Sequence, residues 1–266
     1  MIGVFDSGFG GLTVLKELIK ILPQYDYIYL GDNARTPYGI RSNETVYEYS
    51  KEAVDFLFKK GCGLVIIACN TATAVALRKI QQEYLKENYP ERRVLGVVRP
   101  LAEAAAFCDK ERIGVVGTLG TINSNLYETE IKSLNQKKQV FQQACPLLVP
   151  LIEEGWLKEK ETKTILRYYL KPLKKAKIEK LILGCTHYPL MLDLFKKEIH
   201  KGCEVFDCGK LIADSLAEYL TRHPEIEKIL GKESKRIFLT TDSTEKFSNF
   251  ASRILKEKIS AEKVQL

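Results

Sequence analysis

The chain has 266 residues, 45% of them hydrophobic and 28% charged, and its 41 Lys and Arg against 34 Asp and Glu give a formal net charge of +7. This composition predicts a folded protein with a sizeable core and excludes a disordered or collagen-like chain. The length suits two domains of about 100–150 residues each. The longest apolar run, residues 64–69, is far shorter than the about 20 residues of a membrane-spanning helix. Because Asp6 interrupts the stretch in which an export signal would be apolar, we expect a cytoplasmic protein without a membrane partner.

Short β-branched runs alternate with amphipathic stretches along the whole chain. The predicted strands, in chain order, are residues 2–5, 27–30, 64–68, 94–98, 112–117, 181–183, 203–206 and 236–239. Between the first two, apolar residues repeat at helical spacing from Leu12 to Leu22 and stop at Pro23, and a second such pattern covers residues 44–60. Strands that alternate with helices predict an α/β fold with mostly parallel, doubly wound sheets.

Much of the positive charge lies in residues 156–180, which contain nine Lys or Arg and three acids. Apolar residues at helical spacing in this segment predict a helix with one solvated, charged face. No base-reading motif and no basic stripe with interleaved aromatic residues is found in the sequence. We therefore do not expect nucleic acid as a partner.

The chain contains an internal repeat. Two pairs of strings resemble each other, IGVFDSG with IGVVGTLG and VIIACNT with LILGCTH. In the first half Gly3 and Cys69 are 66 residues apart, and in the second half Gly114 and Cys185 are 71 residues apart. Two landmarks at nearly equal spacing predict two related halves, the alternative being a coincidence between common strand–turn patterns.

Cys69 and Cys185 each follow an apolar strand and precede a predicted helix. The carboxyl ends of parallel strands are where α/β sheets bind ligands, and the positive end of a helix dipole favours a thiolate. Either cysteine alone could be a structural residue, but the matched pair predicts a functional site. Polar neighbours able to hydrogen-bond an anion follow both cysteines, namely Asn70, Thr71, Thr186 and His187.

Two thiols that face one cleft from opposite sides suit the inversion of a carbon centre, because one removes a proton and the other delivers one to the opposite face. Nucleophilic catalysis would need only one cysteine and usually an activating histidine. The sequence has no Cys-x-x-Cys pair, no Schiff-base lysine motif and no Gly-x-Gly-x-x-Gly loop, so we expect no disulfide, no metal and no cofactor. A binding protein for anionic metabolites that lacks the chemistry is the alternative from another class.

A glycine-rich segment, DSGFGG, follows the first predicted strand at residues 6–11. It lacks the Gly-Lys-Ser/Thr ending of a phosphate-binding P-loop. One interpretation is a simple turn before the first helix. In the other, Asp6 hydrogen-bonds an ammonium group or a catalytic thiol, and Ser7 hydrogen-bonds a carboxylate.

Four strings stand in the chain in this order: VFDSG-x-GG, GD-x-AR-x-PYG, ACNTA and LGCTHYPL. Their order and spacing, over essentially the whole chain, resemble those of glutamate racemases. The resemblance implies two similar flavodoxin-like α/β domains, related by pseudo-two-fold symmetry, with the active site between them. It also implies a discontinuous first domain, residues 1–97 plus 208–266, and a second domain of residues 98–207.

The resemblance further implies a cofactor-independent isomerase that interconverts L- and D-glutamate for bacterial peptidoglycan, and we expect a homodimer. Cys69 would take the Cα proton of D-glutamate and Cys185 that of L-glutamate. Asp6 and His187 match polar helpers beside these thiols, and Glu153 matches a further catalytic carboxylate. The substrate-binding residues that the resemblance implies are Asp6, Ser7, Tyr38, Gly39, Asn70, Thr71, Thr118, Thr121, Thr186 and His187.

Arg99 departs from the pattern of these relatives, and His187 bears on the choice of substrate. Many of them have an acidic residue before Pro100, where this chain has Arg99, and we expect this change to affect a domain-linking segment or its regulation and not the chemistry. Aspartate racemase, or another racemase with two cysteines, is the nearest alternative within the class. The string Cys185-Thr186-His187 favours glutamate, because in aspartate-type relatives we expect an acidic residue in place of the histidine.

Overall fold

A computed structural model describes residues 1–266 and contains ten strands. Their bounds are Ile2–Asp6 (β1), Tyr27–Gly31 (β2), Leu64–Ile67 (β3), Arg93–Gly96 (β4), Arg112–Gly117 (β5), Gln139–Ala144 (β6), Lys180–Gly184 (β7), Glu204–Val205 (β8), Arg236–Thr240 (β9) and Glu262–Lys263 (β10). All eight predicted strands are present, and their ends differ from the prediction by at most two residues.

Thirteen α-helices alternate with these strands. Their bounds are Leu12–Ile21 (α1), Asn43–Lys59 (α2), Asn70–Lys79 (α3), Leu85–Asn88 (α4), Val98–Phe107 (α5), Leu119–Asn123 (α6), Leu126–Leu134 (α7), Leu148–Glu153 (α8), Lys160–Lys175 (α9), Leu192–Glu198 (α10), Cys208–Arg222 (α11), Pro224–Glu227 (α12) and Thr244–Leu255 (α13). Two 3₁₀ turns, Tyr38–Ile40 and Tyr188–Met191, and a π-helical turn, Ile80–Tyr84, complete the elements. No helix is both long enough and apolar enough to cross a membrane.

The strands form two sheets in which every neighbouring pair is parallel. The first sheet has the order β10-β9-β2-β1-β3-β4, and the second has the order β6-β5-β7-β8. The run β2-β1-β3-β4 of the first sheet is thus repeated as β6-β5-β7-β8 in the second. This repetition confirms the prediction of a two-domain α/β fold made of related halves, while the exact domain boundaries stay a prediction.

Strand β6 and the two-residue strand β10 were not expected from the sequence. The residues of β6, QVFQQA, include three glutamines and are only partly buried because the strand lies at the edge of its sheet. Central strands covered on both faces are continuously apolar, and an edge strand need not be. The predicted strand 94–98 is shortened because Val98 already begins α5.

The hydrophobic core explains how the two sheets are held together. Val4 of β1 and Ile66 of β3 belong to one buried cluster that also contains Val115 and Ile182 of the second sheet. Because side chains alternate along a strand, Phe5 lies on the opposite face, in a separate cluster that includes residues of α2 and α3. The two sheets therefore share one hydrophobic core.

Helix α9 accounts for the basic segment. Its buried residues, Thr162, Leu166, Tyr169, Leu170 and Leu173, form one face. The lysines of this helix lie mainly on the remaining, solvated side. The charge-rich sequence therefore forms an amphipathic helix, as its apolar spacing predicts.

Candidate active site

The first half of the site is built where β3 meets α3. Cys69 is the N-cap residue of α3, and its Sγ accepts a hydrogen bond from the Ala72 backbone N–H at 3.5 Å. The same sulfur donates to the Ser7 hydroxyl at 3.4 Å. Burial raises the pKa of the Cys69 thiol to about 12, and the nearby Asp6 carboxylate adds to this effect. In this structure Cys69 is therefore a protonated thiol at neutral pH.

The second half is built where β7 ends. Cys185 is buried and follows the last residue of the strand, and His187 comes just before the 3₁₀ turn at residues 188–191. The His187 Nε2 lies 2.9 Å from Glu153 Oε1, at the end of α8. Burial by itself lowers the pKa of His187, but the neighbouring Cys185 and Glu153 outweigh burial and raise the pKa to about 10. His187 is therefore a buried cation at neutral pH.

Asp6 lies between the two halves, at the end of β1, and is fully buried. Its carboxylate accepts hydrogen bonds from the Gly8 N–H at 3.0 Å and from the Thr186 hydroxyl at 3.2 Å. Burial raises the pKa of Asp6, although the charge of His187 and the backbone bonds act in the opposite direction. Asp6 thus connects the first half of the site to the loop that carries Cys185.

Both cysteines line one small cavity. Its walls are Ser7, Thr36, Pro37, Tyr38, Gly39, Cys69, Asn70, Thr71, Thr118, Val149, Cys185, Thr186 and His187. The cavity has a volume of about 30 Å³, which is small beside the about 300–1,000 Å³ of ordinary ligand pockets. An amino acid can therefore be held here only when the walls move apart.

The structure brings most of the predicted site residues to this cavity. Asp6, Thr121 and Glu153 do not line it and stand one hydrogen bond behind residues that do. The Tyr38 hydroxyl donates to Asp32 Oδ2 at 2.5 Å, so it does not face the cavity. The remaining ten predicted residues are wall residues, namely Ser7, Tyr38, Gly39, Cys69, Asn70, Thr71, Thr118, Cys185, Thr186 and His187.

Close contacts between the two halves explain two glycines of the motifs. A Cβ atom on Gly10 would lie 2.3 Å from Thr186 Oγ1, and one on Gly39 would lie 2.6 Å from Thr118 Cβ. The Thr71 and Thr118 hydroxyls are 2.8 Å apart across the same junction. The two strand-end loops therefore touch each other directly, which agrees with the small volume of the cavity.

Four residues around the site were not expected from the sequence. Thr36, Pro37 and Val149 are wall residues, and Tyr127 donates a hydrogen bond to Asn70 Oδ1 at 2.6 Å. Pro37 belongs to a string that resembles the relatives, so it and its neighbour Thr36 could have been found from that string. Tyr127 lies on helix α7, outside every motif, and only its packing reveals it.

No arginine lines the cavity of the cysteines. Arg35 directly precedes the wall residue Thr36 in the sequence. Its guanidinium donates to Asp32 at 2.7 Å and stacks on Tyr49 at 4.0 Å from the ring centroid. A larger cavity of about 500 Å³ shares no residue with the site and is lined by Arg78, Arg99 and Glu130 among others. No group of three or more His, Cys, Asp or Glu residues is arranged to hold a metal ion.

Comparisons with known proteins place this chain in a family. The profile of the Asp/Glu/Hydantoin racemase family matches residues 2–216. A glutamate racemase of Geobacter metallireducens is 42% identical over 259 residues, which cover 97% of this chain and 93% of that protein.

Solved structures agree with the sequence comparison. A glutamate racemase isoform of Bacillus anthracis has a TM-score of 0.91 at 38% identity and covers 100% of this chain and 97% of that one. A Francisella tularensis glutamate racemase in complex with D-glutamate has a TM-score of 0.88 at 34% identity and covers 99% and 97%. This chain is therefore an isomerase of the Asp/Glu/Hydantoin racemase family and belongs among its glutamate racemases.

Proposed function

We propose that this protein interconverts L- and D-glutamate by a two-base transfer of the Cα proton, with Cys69 and Cys185 as the two bases. The observation that supports this most strongly is that the two cysteines line one cavity and come from the two related halves of the chain. Bases on opposite sides of one carbon are what inversion requires.

From L-glutamate, the Cys185 thiolate takes the Cα proton and becomes a thiol. The Cys69 thiol then gives its proton to the opposite face of the same carbon and becomes a thiolate, so protons and charge balance. The protonated state of Cys69 in this structure suits this direction. From D-glutamate the two sulfurs exchange roles.

The charged neighbours support the two half-reactions differently. His187 is a cation beside Cys185 and stabilises negative charge on that sulfur, while Glu153 holds the imidazole in place. Asp6 is a negative neighbour of Cys69 and favours the thiol form of that residue. We assign Asp6 and His187 to proton transfer and Glu153 to the positioning of His187.

The deprotonated Cα carries charge that no imine absorbs, so fixed donors around the carboxylates must stabilise it. We assign this role to the N-terminal N–H groups of α3 and to the side chains of Ser7, Asn70, Thr71 and Thr186, which line the cavity. Tyr38 and Gly39, together with Thr118 and Thr121, complete the proposed substrate-binding set. Because no arginine lines the cavity, the side-chain carboxylate would meet hydroxyl and amide donors.

We further propose that the D-glutamate supplies peptidoglycan synthesis, and that the protein is a homodimer in the cytoplasm and needs no cofactor. All seven cysteines are unpaired, as a reducing compartment would keep them. The glutamate racemases to which the chain is similar support the assignment of substrate.

A substrate panel tests this proposal. Purified protein, dialysed against a chelator, is incubated with L- and D-glutamate, aspartate and glutamine, and the change of chirality is followed by circular dichroism. We expect equal final amounts of L- and D-glutamate and little turnover of the others. Turnover of aspartate alone would indicate an aspartate racemase. Binding of glutamate without any loss of chirality would indicate a binding protein.

A further inference from the structure

Tyr127 joins the two halves of the site. It lies in the first turn of α7, which follows the second-half strand β5, and its side chain is fully buried. Its hydroxyl donates to Asn70 Oδ1 at 2.6 Å, and Asn70 follows Cys69 in the first half. On the other side, a Cβ on Gly184 would lie 3.1 Å from Tyr127 Cε2, so the ring packs against the residue before Cys185.

This contact determines how Asn70 faces the cavity. An amide has one acceptor atom and one atom with two donor hydrogens. Because the Tyr127 hydroxyl occupies Oδ1, the Nδ2 hydrogens are left for the cavity that Asn70 lines. A substrate carboxylate needs donors and is repelled by an amide oxygen. Burial raises the pKa of Tyr127, so its hydroxyl keeps the proton that it donates.

We propose that Tyr127 is a positioning residue for racemisation: it holds the Asn70 amide with its donor hydrogens toward a substrate carboxylate and couples that orientation to the half of the protein that carries Cys185. This inference rests on the proposed function. Tyr127 does not line the cavity, so it acts through Asn70 and does not touch the substrate.

The variant Tyr127→Phe removes only the hydroxyl. The buried Asn70 oxygen then lacks a partner, and the amide is free to turn. We expect KM for both enantiomers to rise about tenfold, since this is the size of effect that an unpaired buried acceptor produces, with a smaller change in kcat. In the Asn70→Ala background, Tyr127→Phe should have no further effect on KM.

Tyr27→Phe is the matched control. Tyr27 is also buried and begins β2, at the end of the strand away from the site. Its hydroxyl donates to the backbone oxygen of Leu22 at 3.1 Å. We expect this variant to lose some thermal stability and to keep both kcat and KM. Melting temperatures of all variants are measured alongside the kinetics, so that a purely structural effect is recognised.

If Tyr127→Phe has the KM and kcat of Tyr27→Phe, or if its effect persists in the Asn70→Ala background, the inference is wrong while the proposed function stands. A wild-type protein without glutamate racemisation would overturn both.

A crystal structure of the wild type with D-glutamate is the test that does not depend on a folded variant. It should show Asn70 in contact with both Tyr127 and a substrate carboxylate, and loss of either contact would refute the inference.

Discussion

Cys69 and Cys185 occupy equivalent places in two sheets of the same strand order, after β3 and after β7. Their chemical surroundings differ. The Cys69 thiol has Asp6 as its charged neighbour, and burial together with that carboxylate raises its pKa to about 12. The Cys185 side has His187, whose pKa is raised to about 10 by the neighbouring Cys185 and Glu153 in spite of burial.

The repeated backbone therefore explains why two sulfurs line one cavity, and the unequal side chains give the two sulfurs neighbours of opposite charge. A two-base inversion needs one acid and one base at each moment. In an exactly symmetric site the two thiols would have the same pKa, and nothing would set which of them holds the proton. The positive neighbour of one cysteine and the negative neighbour of the other remove this ambiguity.

The largest effect is expected from removing either thiol. Cys69→Ser and Cys185→Ser should each lower the racemisation rate by about 10²–10⁴-fold, the range that general acid–base groups supply, because a serine hydroxyl is a far weaker acid than a thiol. Circular dichroism of both reaction directions measures this. Cys203→Ser is the control, since Cys203 is partly exposed, lies outside both motifs and does not line the cavity, and it should keep full activity. Full racemisation by either site variant would contradict the two-base mechanism.

Removing one charged neighbour should have a smaller effect. We expect His187→Asn and Asp6→Asn each to lower kcat by about 10–100-fold with a smaller rise in KM, because these groups act on proton transfer. His223→Asn is the matched control, since His223 also pairs with a glutamate, Glu225, at 3.1 Å but is exposed. A rise in KM with unchanged kcat would instead assign these residues to substrate binding.

The pH dependence of stability tests the proton on His187. Its pKa in the folded protein, about 10, is above the ordinary value of about 6.5 in the unfolded chain. The stabilisation from this proton is complete below pH 6.5 and is lost as the pH rises through 10. Urea unfolding of the wild type and of His187→Asn should therefore differ most near pH 6 and least near pH 10. A difference that does not change with pH would mean that folding does not raise the pKa of His187.

The smallest effect is expected at Arg99, outside both half-sites. Its guanidinium is half-exposed and pairs with Glu103 and Glu130, and Glu130 keeps a second partner in Arg78. Arg99→Ala should lower the free energy of unfolding by about 1 kcal/mol or less, as is usual for exposed ion pairs. Racemisation should stay within about twofold of wild type, since such a pair contributes little even locally. A large loss of kcat would mean that this segment takes part in the chemistry.

The sequence predicts the parts of the fold and site that repeat along the chain. Strands β1 and β5 contain the runs IGVF and IGVVG, and the motifs place Cys69 and Cys185 at strand ends, so the pattern alone predicts that the two cysteines meet. Strand β6 escapes prediction because an edge position tolerates its glutamines. The strands that precede the cysteines could be found because they contain apolar runs. Strand β6 could not be found because its glutamines interrupt such a run.

Contacts between distant segments are the part that the sequence does not predict. The bond between Tyr127 and Asn70 depends on the packing of α7 against the other half and leaves no local pattern. The size of the cavity, the burial that raises the pKa of Asp6 and the partners that raise the pKa of His187 likewise depend on residues distant in sequence. The cavity and these pKa shifts form only when the two halves of the protein have assembled.

Exchange of the Cα hydrogen in D2O tests the two-base claim most directly. L- and D-glutamate are equal in free energy, so kcat/KM is equal in both directions for every variant, and only exchange distinguishes the two bases. Each enantiomer is incubated separately with the wild type, Cys69→Ser and Cys185→Ser, and the Cα proton is followed by NMR. We expect the wild type to place deuterium first in the inverted product. Cys69→Ser should slowly exchange L-glutamate only, and Cys185→Ser D-glutamate only. Equal exchange of both enantiomers by either variant would contradict the assignment of one cysteine to each face.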